Sequence, residues 1–512
     1  MKNKKYNDYF YSPTGKLFKD DDPVFKKGFG SDNNNADKYG EEIERLISIV
    51  PNKRQLDYLE LEFYSFIHFG MNTFTKREWG TGKEKNSTFN PKRIDTDQWC
   101  EAIKASGSKG IILTAKHHDG FCLWQTETTE HSIKNSPYKN GKGDIVKELS
   151  DSCKKYGLKF GVYLSPWDRN CPIYGKNAYN DFFKAQLTEL LDGRYGDIFS
   201  IWFDGAMGES QTLDPDFKYD MEGYEKIIYS LQPNCVSALQ GSDVRWVGNE
   251  AGVSRENEWS VISSGAEETL EYQKDTNEAK KLQSVKYNAE DVGSRELLYK
   301  YKNLMFKPAE VDVSIHFGWF YHRFQKAKSL DHLLKIYHKS VGGNSNLLLN
   351  VCPSPNGIIE KRDVKRLKEF GAAIKESVAH PVKIKEVKIG NYLNMHTLSD
   401  DEKNAILSEE RFTNLTFGDT DSIMDFIFAE KKRVTRIDLR EDLRYSQRVE
   451  KYDIYAKSED GWELISELGN IGNRRSCIIN PESKLYTNKI RIVVRQSRNV
   501  PVLRSVLIYS DK

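Results

Sequence analysis

From Tyr64 onward, apolar and polar positions repeat in a two-part pattern. A short, nearly continuous apolar run ends in polar or aromatic residues, and an amphipathic stretch precedes the next run. Runs apolar on both faces suit parallel strands covered by helices, whereas an open antiparallel sheet would alternate. Eight runs read as strands: 63–70, 110–117, 159–166, 198–205, 235–240, a weaker 258–263, 311–318 and 345–351. Two intervening stretches read clearly as helices. In one, Asp144 can cap the start, Ile145, Val146, Leu149 and Cys153 share a face, and Gly157 suits the end. The other runs from Ser329 to Gly343. Eight βα repeats predict an α/β fold, a TIM-like (β/α)8 barrel over residues 51–378. The charged stretch from Ser264 to Lys307 is long for one βα unit and reads as a helical insertion walling the site.

Past Ala379 the period changes. Short alternating runs such as VKIKEVKIG, IMDFIFA, KYDIYAKS and KIRIVVRQ, separated by turn residues, predict a C-terminal antiparallel β-sandwich domain over 379–512. Residues 1–50 form a polar N-terminal extension in which Gly30 to Gly40 reads as a flexible linker.

Composition narrows the function. The 512 residues carry 77 Lys and Arg against 75 Asp and Glu, a balance without the basic footprint of a nucleic-acid binder, so a neutral ligand is expected. Aromatic residues reach 12% with nine tryptophans, a supply of flat faces for sugar rings and equally for a large core. The seven cysteines lack CxxC spacing, which predicts reduced thiols, no disulfide framework and no structural zinc. No signal-peptide or membrane-length apolar run occurs, so a soluble, cytoplasmic protein is expected, or a secreted one if a leader was removed.

Reactive groups in a parallel barrel gather where strands end. Reading only those ends gives His68, His117, His118, Asp119, Tyr163, Trp167, Asp204, Trp319 and Asn350. Asp204 stands out, because IFSIWFDGA sets a carboxylate behind six uncharged residues and before a glycine. A carboxylate there is costly without partners or a task. Capping the next segment is the structural alternative. Glycoside hydrolysis needs a second carboxyl, and Asp243, Glu250, Glu256 and Glu258 are the candidates. RWVGNEAG puts Glu250 in a flexible loop beside Trp246, which suits proton delivery. Adjacent His117 and His118 would point to opposite sides of an extended strand, so recognition of sugar hydroxyls is favoured over a shared metal. No metal or other cofactor is expected.

These segments resemble the α-L-fucosidases of glycoside hydrolase family 29. FIHFGMNTF, REWG, GIILTAKHHDGFCLW, IWFDGA, RWVGNEAG, GWFYH and SVGGNSNLLLNVCP occur in that family's order from Tyr64 to Pro353. The resemblance implies a retaining enzyme with Asp204 as nucleophile and Glu250 as acid/base. It implies that His68, His117 and His118 bind fucose hydroxyls, helped by Glu78, Trp79 and Tyr163, and that Trp319 lines the pocket. Phe69, Trp202 or Trp319 would receive the 5-methyl group. RWVGNEAG resembles the subgroup acting on α-1,3/1,4-fucosylated, Lewis-type oligosaccharides. The implied partner is therefore such a substrate, with no nucleic acid and no membrane. One departure is His316-Phe317 where the family carries Arg-Pro. Rival readings are a fucose-binding barrel without turnover and a glycosidase of other sugar specificity.

Overall fold

The computed structural model describes residues 10–29, 36–208, 213–264, 289–483 and 485–512, with the backbone alone at 36–41. Eight parallel strands form the first sheet: β1 (Phe63–Ile67), β2 (Gly110–Lys116), β3 (Lys159–Leu164), β4 (Ile198–Phe203), β5 (Val236–Leu239), β6 (Arg245–Trp246), β7 (Ala309–Ser314) and β8 (Ser345–Asn350). Their order is β5-β4-β3-β2-β1-β8-β7-β6, and a single bridge between Ala238 and Val244 joins the two ends into a near-closed barrel. Helices α1 (Thr96–Ala105), α2 (Ile145–Tyr156), α3 (Tyr179–Leu191), α4 (Met221–Leu231), α5 (Leu330–Ser340) and α6 (Lys361–Glu376) accompany it. Asp144 caps α2 through Lys147 N–H, and Gly157 ends it at φ 68°, a conformation glycine adopts without strain.

The sixth strand is not the run at 258–263. Arg245–Trp246 pairs with β7 in its place, while Val261–Ser263 pairs antiparallel with Leu304–Phe306 outside the barrel. Arg245–Trp246 is too short to show periodicity, and its backbone finds partners on β7 because Val244 turns back at once onto β5. Most of the stretch read as a helical insertion, 265–288, lies outside the described residues.

Alternation along the strands sorts the side chains. On β1, Tyr64 and Phe66 face the barrel interior with Trp202 and Tyr163, while Phe63, Ile67 and the following Phe69 pack toward the helices with Trp99 and Phe370. Phe69 is thus core rather than pocket. Inside the barrel Glu310 accepts hydrogen bonds from Trp202 Nε1 at 2.6 Å, from Tyr58 at 3.0 Å and from Tyr64, and burial beside Asp312 pushes its carboxyl well up.

The C-terminal strands form a sandwich that one long strand, Ile423–Glu441, ties together. Its first part pairs with Ile384–Gly390 and Tyr486–Ser497, its second with Arg475–Ile478 and Val502–Ser510. The N-terminal segment folds onto this sandwich: Leu17–Phe18 pairs with Trp462–Leu468, and Phe18 and Phe25 are buried against Tyr455 and Trp462. Residues 30–35 of the expected linker lie outside the described residues, and its remainder belongs to a helix, Ala36–Ser48. Among the described residues no helix is long and apolar enough to cross a membrane.

Buried charges bind barrel to sandwich. Glu62, just before β1, accepts from Arg440 at 2.6 Å and Arg474 at 3.1 Å, and Arg474 continues to Asp438 and Asp438 to Arg436. Burial raises the Glu62 pKa, but the two guanidinium groups outweigh it and hold the carboxyl at about 2 against an ordinary 4.5. A depressed folded-state pKa gives stability that is fully present above about 4.5 and is lost as pH falls toward about 2. Glu62→Ala leaves two buried arginines short of a partner and is expected to cost about 3–5 kcal/mol, read from its urea unfolding midpoint.

Candidate active site

At the carboxyl face of the barrel the strand ends and the loops beyond them enclose a cavity of about 390 Å³. The nine residues to which the resemblance gives a catalytic or sugar-binding role line it, namely His68, Glu78, Trp79, His117, His118, Tyr163, Asp204, Glu250 and Trp319, whereas Asp119, Trp167 and Asn350, also read at strand ends, do not. Phe66, Trp202, Gly205, Ala206, Leu239, Gln240, Trp246 and Asp312 complete the wall.

Asp204 is the first residue beyond β4. Its Oδ2 accepts from the Tyr163 hydroxyl at 2.9 Å and its Oδ1 from Ala206 N–H at 2.7 Å, so donors hold both oxygens in a fixed direction. Burial and the neighbouring carboxylate push the Tyr163 pKa well up, which keeps the phenol protonated as donor. Tyr163 therefore orients Asp204 directly. His118 Nε2 stands 3.7 Å from the same Oδ2.

Burial biases His68, His117 and His118 toward the neutral form. Burial takes the His68 pKa to about 3 and the His117 pKa well below its usual value, and it also lowers that of His118 against the pull of Asp204. Their hydrogen bonds fix which nitrogen faces the cavity. Asn350 Nδ2 is committed to Ser314 Oγ and Trp319 O, so its Oδ1 takes the proton of His68 Nδ1 at 2.8 Å and leaves His68 Nε2 a bare acceptor. Ser165 donates to Trp167 O and accepts from His118 Nδ1 at 2.7 Å, which leaves His118 Nε2 likewise bare. His117 Nδ1 accepts from Asn72 Nδ2 at 3.4 Å, so its Nε2 carries a proton. The expectation that His117 and His118 point apart fails: the chain leaves extended geometry after Lys116, and the two rings lie 4.2 Å apart in one cavity. Among the described residues no three His, Cys, Asp or Glu side chains are grouped to hold a metal ion.

Glu78 fixes the rim. Its Oε2 accepts from Trp319 N–H at 2.9 Å and its Oε1 bonds His322 Nε2 at 2.7 Å, locking the loop after β7 to the loop after β1. A Cβ at Gly318 would lie 2.5 Å from Glu78 Oε1, so a larger residue there would push that carboxylate off its bonds to Trp319 and His322. Trp79 is 54% exposed and stands edge-on to Trp167 and His118. In the departing pair, His316 is buried between Cys352 Sγ at 3.3 Å and Asp363 at 3.1 Å, while Phe317 is 98% exposed.

Of the candidate second carboxyls, only Glu250 reaches the cavity. Asp243 is held by Arg54 at 2.7 Å, and Glu258 is enclosed by Arg245 and Arg255, which overcome burial and keep its carboxyl below the usual range. Glu250 sits in the loop after β6, and partial burial raises its pKa, a Trp319 hydrogen bond opposing while Asp204 and Glu78 add to the rise. Asp312, which sequence reasoning missed, lies in the wall, accepts from Trp246 Nε1 at 2.7 Å and is pushed up to about 7 by burial and, against that hydrogen bond, by Glu250 and Asp204. Its signal was present: EVDVS sets acids at alternate positions of a barrel strand, both on the inner face.

Glycoside hydrolysis asks for two carboxyl groups at one cavity, and this barrel mouth sets Asp204 and Glu250 among flat indole faces. The class defined is that of a glycoside hydrolase. Residues 49–377 match the family described as Alpha-L-fucosidase. Alpha-L-fucosidase 1 of Arabidopsis thaliana is 33% identical over 478 residues, covering 90% of this chain and 88% of its own. The structure of a glycoside hydrolase 29 family member from an unknown rumen bacterium aligns at TM-score 0.72 and 36% identity over 91% of this chain and 78% of its own. A Ruminococcus gnavus GH29 fucosidase solved in complex with fucose aligns at 0.77 and 28% identity, over 91% and 95%. The chain belongs to the α-L-fucosidases of glycoside hydrolase family 29.

Proposed function

We propose that this α-L-fucosidase works by double displacement with net retention, Asp204 as nucleophile and Glu250 as acid/base, on α-1,3/1,4-fucosylated Lewis-type oligosaccharides. The observation that carries the reading is the contrast between two carboxyls in one cavity. Asp204 is held by two donors and has a lone pair to offer; Glu250 is raised toward the protonated form.

Asp204 attacks C1 of fucose as Glu250 gives its proton to the departing glycosidic oxygen, leaving a β-linked fucosyl ester on Asp204. Glu250, now ionised, takes a proton from water, whose oxygen attacks C1 from the opposite face and frees Asp204. The bare Nε2 atoms of His68 and His118 accept hydrogen bonds from sugar hydroxyls, and His117 Nε2–H donates one to another. Such a neutral array suits an uncharged sugar. Phe66, Trp202 and Trp319 offer apolar faces to its 5-methyl group. A relative solved with fucose bound supports the sugar.

The linkage preference rests on RWVGNEAG, the segment that carries Glu250 at the open side of the cavity. Lewis trisaccharides should be cleaved much faster than 2′-fucosyllactose when free fucose is measured from both. Equal or faster release from the 2′-linked sugar would overturn the preference.

A further inference from the structure

The loop from Val247 to Ser260 leaves β6, carries Glu250 and ends at Val261–Ser263 beside the barrel, so whatever closes its base sets where Glu250 stands. Glu258 closes it. Its carboxylate, fully buried, meets Arg245 of β6, just before the loop, and Arg255 Nη1 at 3.0 Å from the loop's end. Arg255 reaches back through Nη2 to Val247 O at 3.1 Å, and Arg245 Nη2 also donates to Trp259 O at 2.6 Å. One carboxylate thus gathers both ends of the strap and, through Arg255, the backbone three residues before Glu250.

The strap is held from outside as well. The Glu258 carbonyl accepts three side-chain amides: Asn344 at 2.7 Å from the barrel, Asn470 at 2.8 Å and Gln447 at 3.1 Å from the sandwich. Gln447 Oε1 also takes Ser260 N–H at 2.9 Å, Arg475 donates to Glu256 O at 2.6 Å, and Asn257 Oδ1 accepts from Asn470 N–H at 3.2 Å. The sandwich therefore grips successive residues of the loop base through buried polar groups.

We infer that Glu258, with Gln447 and Asn470 of the sandwich, is a positioning device for the acid/base loop, so that the C-terminal domain takes part in proton delivery. The inference rests on the reading of Glu250 as acid/base. Glu258 touches no substrate and acts only through the loop. Its effect belongs to the step that needs a positioned proton, where a displacement of about 1 Å can cost about a hundredfold.

The test compares two fucosides of one sugar, an activated aryl fucoside that leaves without a proton and a poor-leaving-group alkyl fucoside or oligosaccharide. The variants are Gln447→Ala with Asn470→Ala, which loosens the grip without breaking an ion pair, though it also takes one acceptor from Arg475, and Glu258→Gln. Both should lose about 10- to 100-fold in kcat/KM on the poor leaving group with little change in kcat/KM on the activated one, because kcat/KM reports formation of the fucosyl-enzyme and not the water step that also uses Glu250, and the alkaline limb of the kcat/KM profile should move to lower pH as Glu250 becomes more solvated. Reduced folding would lower both substrates in proportion and leave the pH profile alone. Parallel loss, or none, in the double amide variant overturns the proposal even if Glu258→Gln fails to fold. Glu250→Ala in the same assay separates the failures. If it changes the substrate ratio and the double variant does not, the positioning role alone falls; if it does not change the ratio, the acid/base reading falls and the positioning role with it.

Discussion

Asp204→Ala and Asp204→Asn are expected to lose about 10³-fold or more in kcat while keeping the wild-type circular dichroism spectrum and unfolding midpoint. Asp204 lies beyond β4, one quarter exposed and bonded to Tyr163 and Ala206, so its removal takes away no core packing. Azide should partly restore the alanine variant on an activated aryl fucoside, because the space left by the carboxylate admits a small anion to the face of C1 that Asp204 attacks. That direct displacement inverts the centre and gives β-fucosyl azide. Near-wild-type turnover by either variant would remove Asp204 from the mechanism.

Glu250→Ala is expected to divide substrates by leaving group. Hydrolysis of oligosaccharides, whose departing alkoxide needs a proton, should fall by about 10²–10⁴-fold, while formation of the fucosyl-enzyme from an activated aryl fucoside should change little. Steady-state turnover of the aryl substrate should then be limited by attack of unassisted water. Azide, needing no general base, should accelerate that step and produce the α-fucosyl azide, since it opens the ester from the face that water uses. The two variants thus yield opposite anomers of one product, which separates the two roles by chemistry alone. A uniform loss on all substrates, with no azide adduct, would assign proton delivery elsewhere.

The sequence was most legible where the chain is most regular. Continuous apolar runs placed seven of the eight barrel strands, because a strand buried on both faces leaves no polar alternation to confuse it. Arg245–Trp246 escaped because two residues carry no period; its pairing depends on β7, 64 residues away. Asp204 was visible as a charge behind an apolar strand, whereas Asp312 was hidden by its place inside a strand, where an acid looks like an error until the barrel interior turns out to be polar around Glu310. The residues alone favoured Glu250 for its flexible loop but did not exclude Glu258, read at the start of a strand. The difference lies in Arg245 and Arg255, which neutralise one and leave the other over the cavity. The role of Phe69 was misplaced by one position of the β1 alternation, which turns it from His68 toward Trp99.

The central claim is a covalent fucosyl-enzyme on Asp204, and the anomeric configuration of the first product tests it most directly. Proton NMR during rapid hydrolysis of an aryl α-L-fucoside should show α-L-fucose first, with the β-anomer growing in only at the rate of mutarotation. Initial release of β-L-fucose would mean a single displacement by water, with Asp204 as its base, and would contradict the account.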